Sequence, residues 1–144
     1  MTDQGNPADA AGWDRAQPYL DAAEGQAEGV AHEAYMLGCL LESAWEKMGP
    51  ASRGALLAHP DVLMTHAAAQ GCDEGDEEFK APTSLDDLKS VAARHGSDSE
   101  EEHEVGDIQA YIVAAAETAT DAEWDEITGS AQVQALLSGA APSP

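Results

Sequence analysis

Apolar residues in this chain recur every three or four positions, the spacing that gathers them on one face of an α-helix. The longest such run passes through Trp13, Ala16, Leu20, Ala23, Ala27, Val30, Ala34, Leu37, Leu41, Ala44 and Met48. It predicts one long N-terminal helix. Pro18 falls inside the run, and because proline suits the first helical turn, the helix is expected to start near Gln17 or to kink there. Gly49-Pro50 should end it. Ahead of the run, residues 1–12 carry Gly, Pro and Asp without periodicity and read as a flexible acidic tail.

Shorter helices are expected at 51–58 and 60–70, with Pro60 at the break and Asp61 favouring the second start. Residues 71–83 then read as an acidic loop. Ser84 is placed to cap a helix through about Arg94, whose stripe is Leu85, Leu88, Val91 and His95 and whose end is marked by Gly96. Asp98 or Ser99 should begin another, with Val105, Ile108, Ile112, Ala115 and Ala119 on its inner face. Trp124, Ile127, Val133, Leu136 and Leu137 suggest one or two closing helices before a short tail at 139–144.

The sum is an all-α, single-domain bundle of about five or six helices over residues 13–138, a size at which one chain buries a genuine core. With 29 alanines and seven aromatic residues, that core must be built from small side chains in closely packed helices. The heptad-like spacing of the first stripe reads as the core face of a bundle helix, with the seam of a homodimer as the competing reading. A weak echo links 31–58 to 107–138: Ala34-Tyr35, Trp45 and Leu56-Leu57 are followed by Ala110-Tyr111, Trp124 and Leu136-Leu137 in the same order. Drifting spacing leaves a two-fold helical repeat competing with ordinary helical patterning.

No stretch approaches the roughly 18 consecutive apolar residues of a membrane helix, and Met1 to Gly12 lacks the charged start and apolar run of a signal peptide. A cytoplasmic location is expected. Cys39 and Cys72 form no CxxC and no disulfide framework, and Cys39, amid Met36, Leu37, Leu40 and Leu41, reads as an apolar filler.

Charge changes the picture most: 28 Asp and Glu against six Lys and Arg give a net −22. Nucleic-acid binding draws much of its affinity from Lys and Arg that displace counterions from phosphates, and here those residues are few and scattered. Direct binding to nucleic acid or to an anionic membrane is therefore disfavoured.

Candidate chemistry is thin. His59, His66 and Cys72, with Asp61 and Asp73 nearby, supply zinc-ligand types at spacings that match no compact zinc signature. Glu100 and His103 form one Glu-x-x-His pair, whereas carboxylate-bridged di-iron bundles need two. The acidic runs at 73–78 and 98–104 lack the alternating ligands and sixth-position glycine of a calcium loop. Phosphate-loop, GxSxG and GxGxxG motifs are absent, and Ser84-Leu85 lacks the preceding acidic residue of a carrier-protein attachment site. No catalytic residue, cofactor or metal ligand is assigned, and the chain reads as a non-enzymatic binder.

The acidic residues themselves are patterned. Glu24/Glu28, Glu42/Glu46, Glu100/Glu104, Glu117/Asp121 and Asp121/Asp125 stand four apart, and such like-charge helical neighbours each cost about 0.2–0.5 kcal/mol. Basic partners three or four residues away are almost absent, with Asp86/Lys89 the clearest exception. One cause is a basic partner: four helical residues advance about 6 Å and every second phosphate of a DNA strand about 7 Å, so carboxylate rows can approximate a phosphate track. That is the physical logic of small acidic DNA mimics of the anti-restriction and anti-CRISPR type. The expected partner-binding residues are Glu24, Glu28, Glu42, Glu46, Glu100, Glu101, Glu102 and Glu104, with Asp73, Asp76, Glu77 and Glu78 secondary. The competing cause is molar salt, where the Debye length falls to about 3 Å and an acidic surface keeps a helical assembly protein dissolved. A third reading is an immunity-type protein for a basic toxin, with Trp45, Tyr35 or Trp124 as its aromatic anchor against a core role for each.

Overall fold

The computed structural model describes residues 7–73, 75–98 and 100–138, with side chains described for 14–131 and 133–135 within those ranges. It is all-α. Among the described residues eight helices follow in order: α1 Pro7–Gln26, α2 Val30–Lys47, α3 Pro50–Leu57, α4 Pro60–Gln70, α5 Leu85–Asp98, α6 Glu101–Thr118, α7 Asp121–Gly129 and α8 Ala131–Ser138. Residues 1–6, the start of the expected tail, and the tail at 139–144 lie outside the described residues.

α6 is the central helix and packs against each of α1 to α5. Its second half is buried on nearly every side: Tyr111, Ile112, Ala114, Ala115 and Ala116 are all in the core. Three successive alanines make this arrangement workable, because a methyl side chain lets neighbouring helices approach from several directions at once. α7 and α8 close the bundle over α1 and α2, while α4 and α5 pack together on α6.

The long N-terminal helix expected from the sequence is two helices. Helical hydrogen bonding ends after Ala27 bonds back to Ala23, and the chain turns through Glu28 to Gly29, whose extended backbone opens α2. Periodicity survives this break because Ala27 and Val30 still pack on the core from either side of it. The stripe residues Leu20, Ala23, Leu37, Leu41 and Met48 are buried within this one chain, so they form its core face. α1 starts at Pro7 and continues through Pro18, so the helix begins well before Gln17.

Other boundaries follow local chemistry. Pro50 and Pro60 occupy first-turn positions of α3 and α4, where a missing N–H costs nothing. Gly71 ends α4 in the left-handed region at φ 82°, a conformation that side chains bearing a Cβ resist. Ser84 accepts from Asp87 N, as expected of a cap. Gly96 does not end α5: it is buried inside the helix, where a Cβ would run into Glu104 of α6. α6 accordingly starts at Glu101, with Glu100 rather than Asp98 or Ser99 before it; Asp98 still belongs to α5 and Ser99 lies outside the described residues.

Candidate protein-docking surface

The expected partner-binding carboxylates fall on four parts of the fold. Glu24 is exposed near the end of α1, and Glu28 lies in the turn after it, its N–H donating to His32 Nδ1. Glu42 and Glu46 are exposed on α2. Asp73, Asp76, Glu77 and Glu78 are exposed in the loop between α4 and α5, which Gln70 pins by bonding Lys80 through both N–H and carbonyl. Glu100, Glu101 and Glu102 are exposed at the start of α6, whereas Glu104 is half-buried against Gly96.

Several of the expected rows are rearranged. Glu28 is outside a helix, so Glu24 and Glu28 do not form a helical pair. Glu117 is buried and bonded to His59, while Asp121 belongs to the next helix and pairs with Arg15. Lys89 reaches across to Glu42 on α2 instead of pairing with Asp86. Glu42/Glu46 on α2 and Asp121/Asp125 on α7 remain within single helices.

Some acids are held close enough to one another to shift their titration. Burial, and then the charge of Glu24, push the Glu33 carboxyl above its ordinary value. Glu104 is raised for the same kind of reason, first by burial and then by Glu101 and Asp107.

Three of the six cations are committed inside the fold, while Lys47, Lys80 and Arg94 are exposed. Arg15 donates to the carbonyls of Ala116 and Ala119 at the end of α6 as well as pairing with Asp121. Arg53 donates to the Trp45 carbonyl and stands 5.0 Å from the centre of the Trp45 ring. Lys89 is tied to Glu42. The exposed carboxylates therefore keep little local compensation.

Between α2 and α5, over α6, runs a groove of about 500 Å³. Ala31, Ala34, Gly38, Ala93 and Ile108 give it an apolar lining, and Glu42 and Glu104 add carboxylates. Tyr35 stands in its wall with 41% of its surface exposed. The other two aromatic candidates are engaged elsewhere: Trp124 meets Tyr19 edge to face, and Trp45 packs against the core beneath Arg53.

Two histidine clusters were not evident from spacing. His59 accepts the Asp61 N–H on Nδ1 at 3.0 Å and donates from Nε2 to Glu117 at 2.6 Å, fixing the start of α4 to the end of α6. Donor atoms of His59, Asp61 and Glu117 lie within 4.8 Å of one another, a set that can be offered to a metal. A metal on Nε2 would require the ring proton to move to Nδ1 and the Asp61 N–H to lose its acceptor, so the observed hydrogen bonding makes this a helix-capping joint. The second cluster joins His95 Nδ1 to Asp107 at 2.8 Å, with the His103 ring stacked on His95 at 4.6 Å. Burial raises Asp107 above its ordinary value, and the two imidazoles oppose that rise. His66 and Cys72 join neither cluster: His66 is buried against Phe79, and Cys72 lies in the loop beside Gln70.

No helix of the described residues is long and apolar enough to cross a membrane. No protein-family model, curated protein or solved structure matches this chain.

Proposed function

We propose that this is a non-enzymatic acidic binding protein of the cytoplasm that inhibits or regulates a basic, nucleic-acid-handling protein by occupying its phosphate-binding surface, as a DNA mimic does. The observation that carries this reading is the division of labour among charges. Arg15, Lys89 and Arg53 are spent on internal ties, while Glu46, Asp76, Glu77, Glu101 and Glu102 are exposed without a basic partner among the described residues. A surface so arranged attracts a basic partner and repels nucleic acid.

A second reading is favoured by the spread of exposed acids over α1, where Glu24 lies, α2, the loop and α6: a helical interaction or assembly protein adapted to high salt. Under that reading the carboxylates hold solvent and ions rather than a partner.

Affinity capture from the native host separates the two. The protein should retain a basic nucleic-acid-binding protein in dilute buffer and release it in about 0.5 M salt, where screening is strong. A variant with Glu46, Asp76, Glu77, Glu101 and Glu102 changed to the corresponding amides should retain much less. Equal retention by the variant would contradict the proposal.

A further inference from the structure

The groove between α2 and α5 offers more than negative charge, and its own contents indicate how a basic side chain is held there. Lys89 crosses from α5 so that its Cε lies 3.8 Å from where a Cβ on Gly38 would stand, and its ammonium reaches Glu42. An aliphatic stem thus rests over a small residue while the charged head finds a carboxylate. The same materials also line the rest of the groove: small residues at Ala31, Ala34 and Ala93, and Glu104, which forms no ion pair among the described residues. Desolvation holds the Glu104 carboxyl above its ordinary value, so a cation brought beside it would favour its charged form.

We propose that this groove docks a basic amphipathic helix of the partner protein, with a Lys or Arg stem over Ala31, Ala34 and Ala93 and its charged head at Glu104, beside the exposed Tyr35 ring. This rests on the reading of the protein as an acidic binder and assigns that reading a specific surface. Charge complementarity selects the occupant: with Glu42 already paired to Lys89, Glu104 is the groove carboxylate left without a cation, and an acidic or neutral helix would place its own polar groups against it. From Ala31 to Glu42 the groove follows α2 for about 16 Å, the rise of three helical turns, which matches a short helix. Helix-in-groove recognition of this kind uses apolar anchors at three- and four-residue spacing.

The test uses the full chain and two fluorescein-labelled synthetic peptides of identical Lys, Leu and Ala composition, one ordered as an amphipathic helix and one scrambled. Fluorescence anisotropy in dilute buffer should show the amphipathic peptide binding at least tenfold more tightly. Ala31→Leu and Ala93→Leu, at exposed positions where the added bulk enters the groove and not the core, should each weaken that binding at least fivefold, and Glu104→Gln should weaken it measurably. Asp76→Asn and Glu77→Gln, in the distant loop, should change it less than twofold. Circular dichroism of each variant reports that the fold is intact. Salt-sensitive binding that ignores peptide order and is untouched by Ala31→Leu and Ala93→Leu would overturn the groove while leaving the acidic-surface reading in place. Absence of salt-sensitive binding to both peptides would overturn the two together.

Discussion

A Cβ placed on Gly96 of α5 would stand 2.9 Å from the Cβ of Glu104 on α6, closer than real Cβ contacts come. The atom in the way is the root of a side chain and cannot swing aside. Gly96→Ala should therefore destabilise the fold by about 1–3 kcal/mol through overpacking, even though alanine is intrinsically the better helix former by about 1 kcal/mol. Urea unfolding measures the difference, and a variant as stable as the wild type would show that α5 and α6 do not approach this closely.

Glu123 should be the most sensitive exterior acid. Its carboxylate accepts from Gly49 N at 2.7 Å, Ser52 Oγ at 2.6 Å and Thr120 N at 2.9 Å, so it closes the α7 capping box and ties that box to the α2–α3 turn. Glu123→Ala should cost about 1–3 kcal/mol, and Thr120→Ala about 1 kcal/mol, because each leaves backbone donors without their acceptor. Thermal unfolding of the two variants gives the ranking, which reverses if the long-range bonds contribute nothing.

The pH dependence should show a maximum on the acid side of neutrality. Burial raises Glu33 and Glu104, each with help from a neighbouring acid, and burial also raises Asp107. A carboxyl raised on folding contributes stability that is present below its unfolded value and lost as pH climbs through its folded value. Glu123 and Asp87 are shifted the other way, both first by side-chain hydrogen bonds, to Ser52 and Thr83 respectively. Their contribution is present above the unfolded value and lost as pH falls through the folded one. The melting temperature should rise as pH is lowered from 7.5 to about 5 and fall below about 4, the range of unperturbed carboxylates. Glu33→Gln with Glu104→Gln should flatten the upper limb, and a melting temperature that falls steadily from pH 7.5 downward would contradict this assignment.

Much of the fold is legible in the sequence. Pro50, Pro60 and Ser84 mark helix starts because each carries its local chemistry wherever it sits, and the stripe Val105, Ile108, Ile112, Ala115 and Ala119 is buried as its spacing predicts. The Glu28-Gly29 break was hidden because apolar spacing runs unchanged across it. Gly96 carries no signal that separates its role, because glycine serves helix ends and close helix contacts alike, and only its neighbour on α6 decides between them. Thr120 and Glu123 do carry a capping-box signature that local reading can find. The bonds from Glu123 to Gly49 and Ser52, and the joint of His59 with Glu117, depend on the packing of distant helices and have no local signal. Among the expected partner-binding acids, spacing cannot separate Glu104, half-buried by α5, from the exposed Glu101 and Glu102.

His59 provides a direct check on the capping joint. With Nδ1 accepting from Asp61 N, the ring proton must sit on Nε2 and point at Glu117. Long-range proton–nitrogen NMR spectra near neutral pH should show the Nε2–H tautomer, and Glu117→Gln should leave the fold intact while lowering its stability by about 1–3 kcal/mol. Observation of the Nδ1–H tautomer would contradict the joint and return His59 Nε2 to the pool of metal ligands.

The central claim, that the exposed acids imitate a phosphate track, is tested most directly by equilibrium competition. With the captured partner held at a fixed concentration, duplex DNA should displace this protein completely, and the apparent affinity of the protein should fall in proportion to the DNA bound. Partner binding that persists unchanged under saturating DNA would contradict the account.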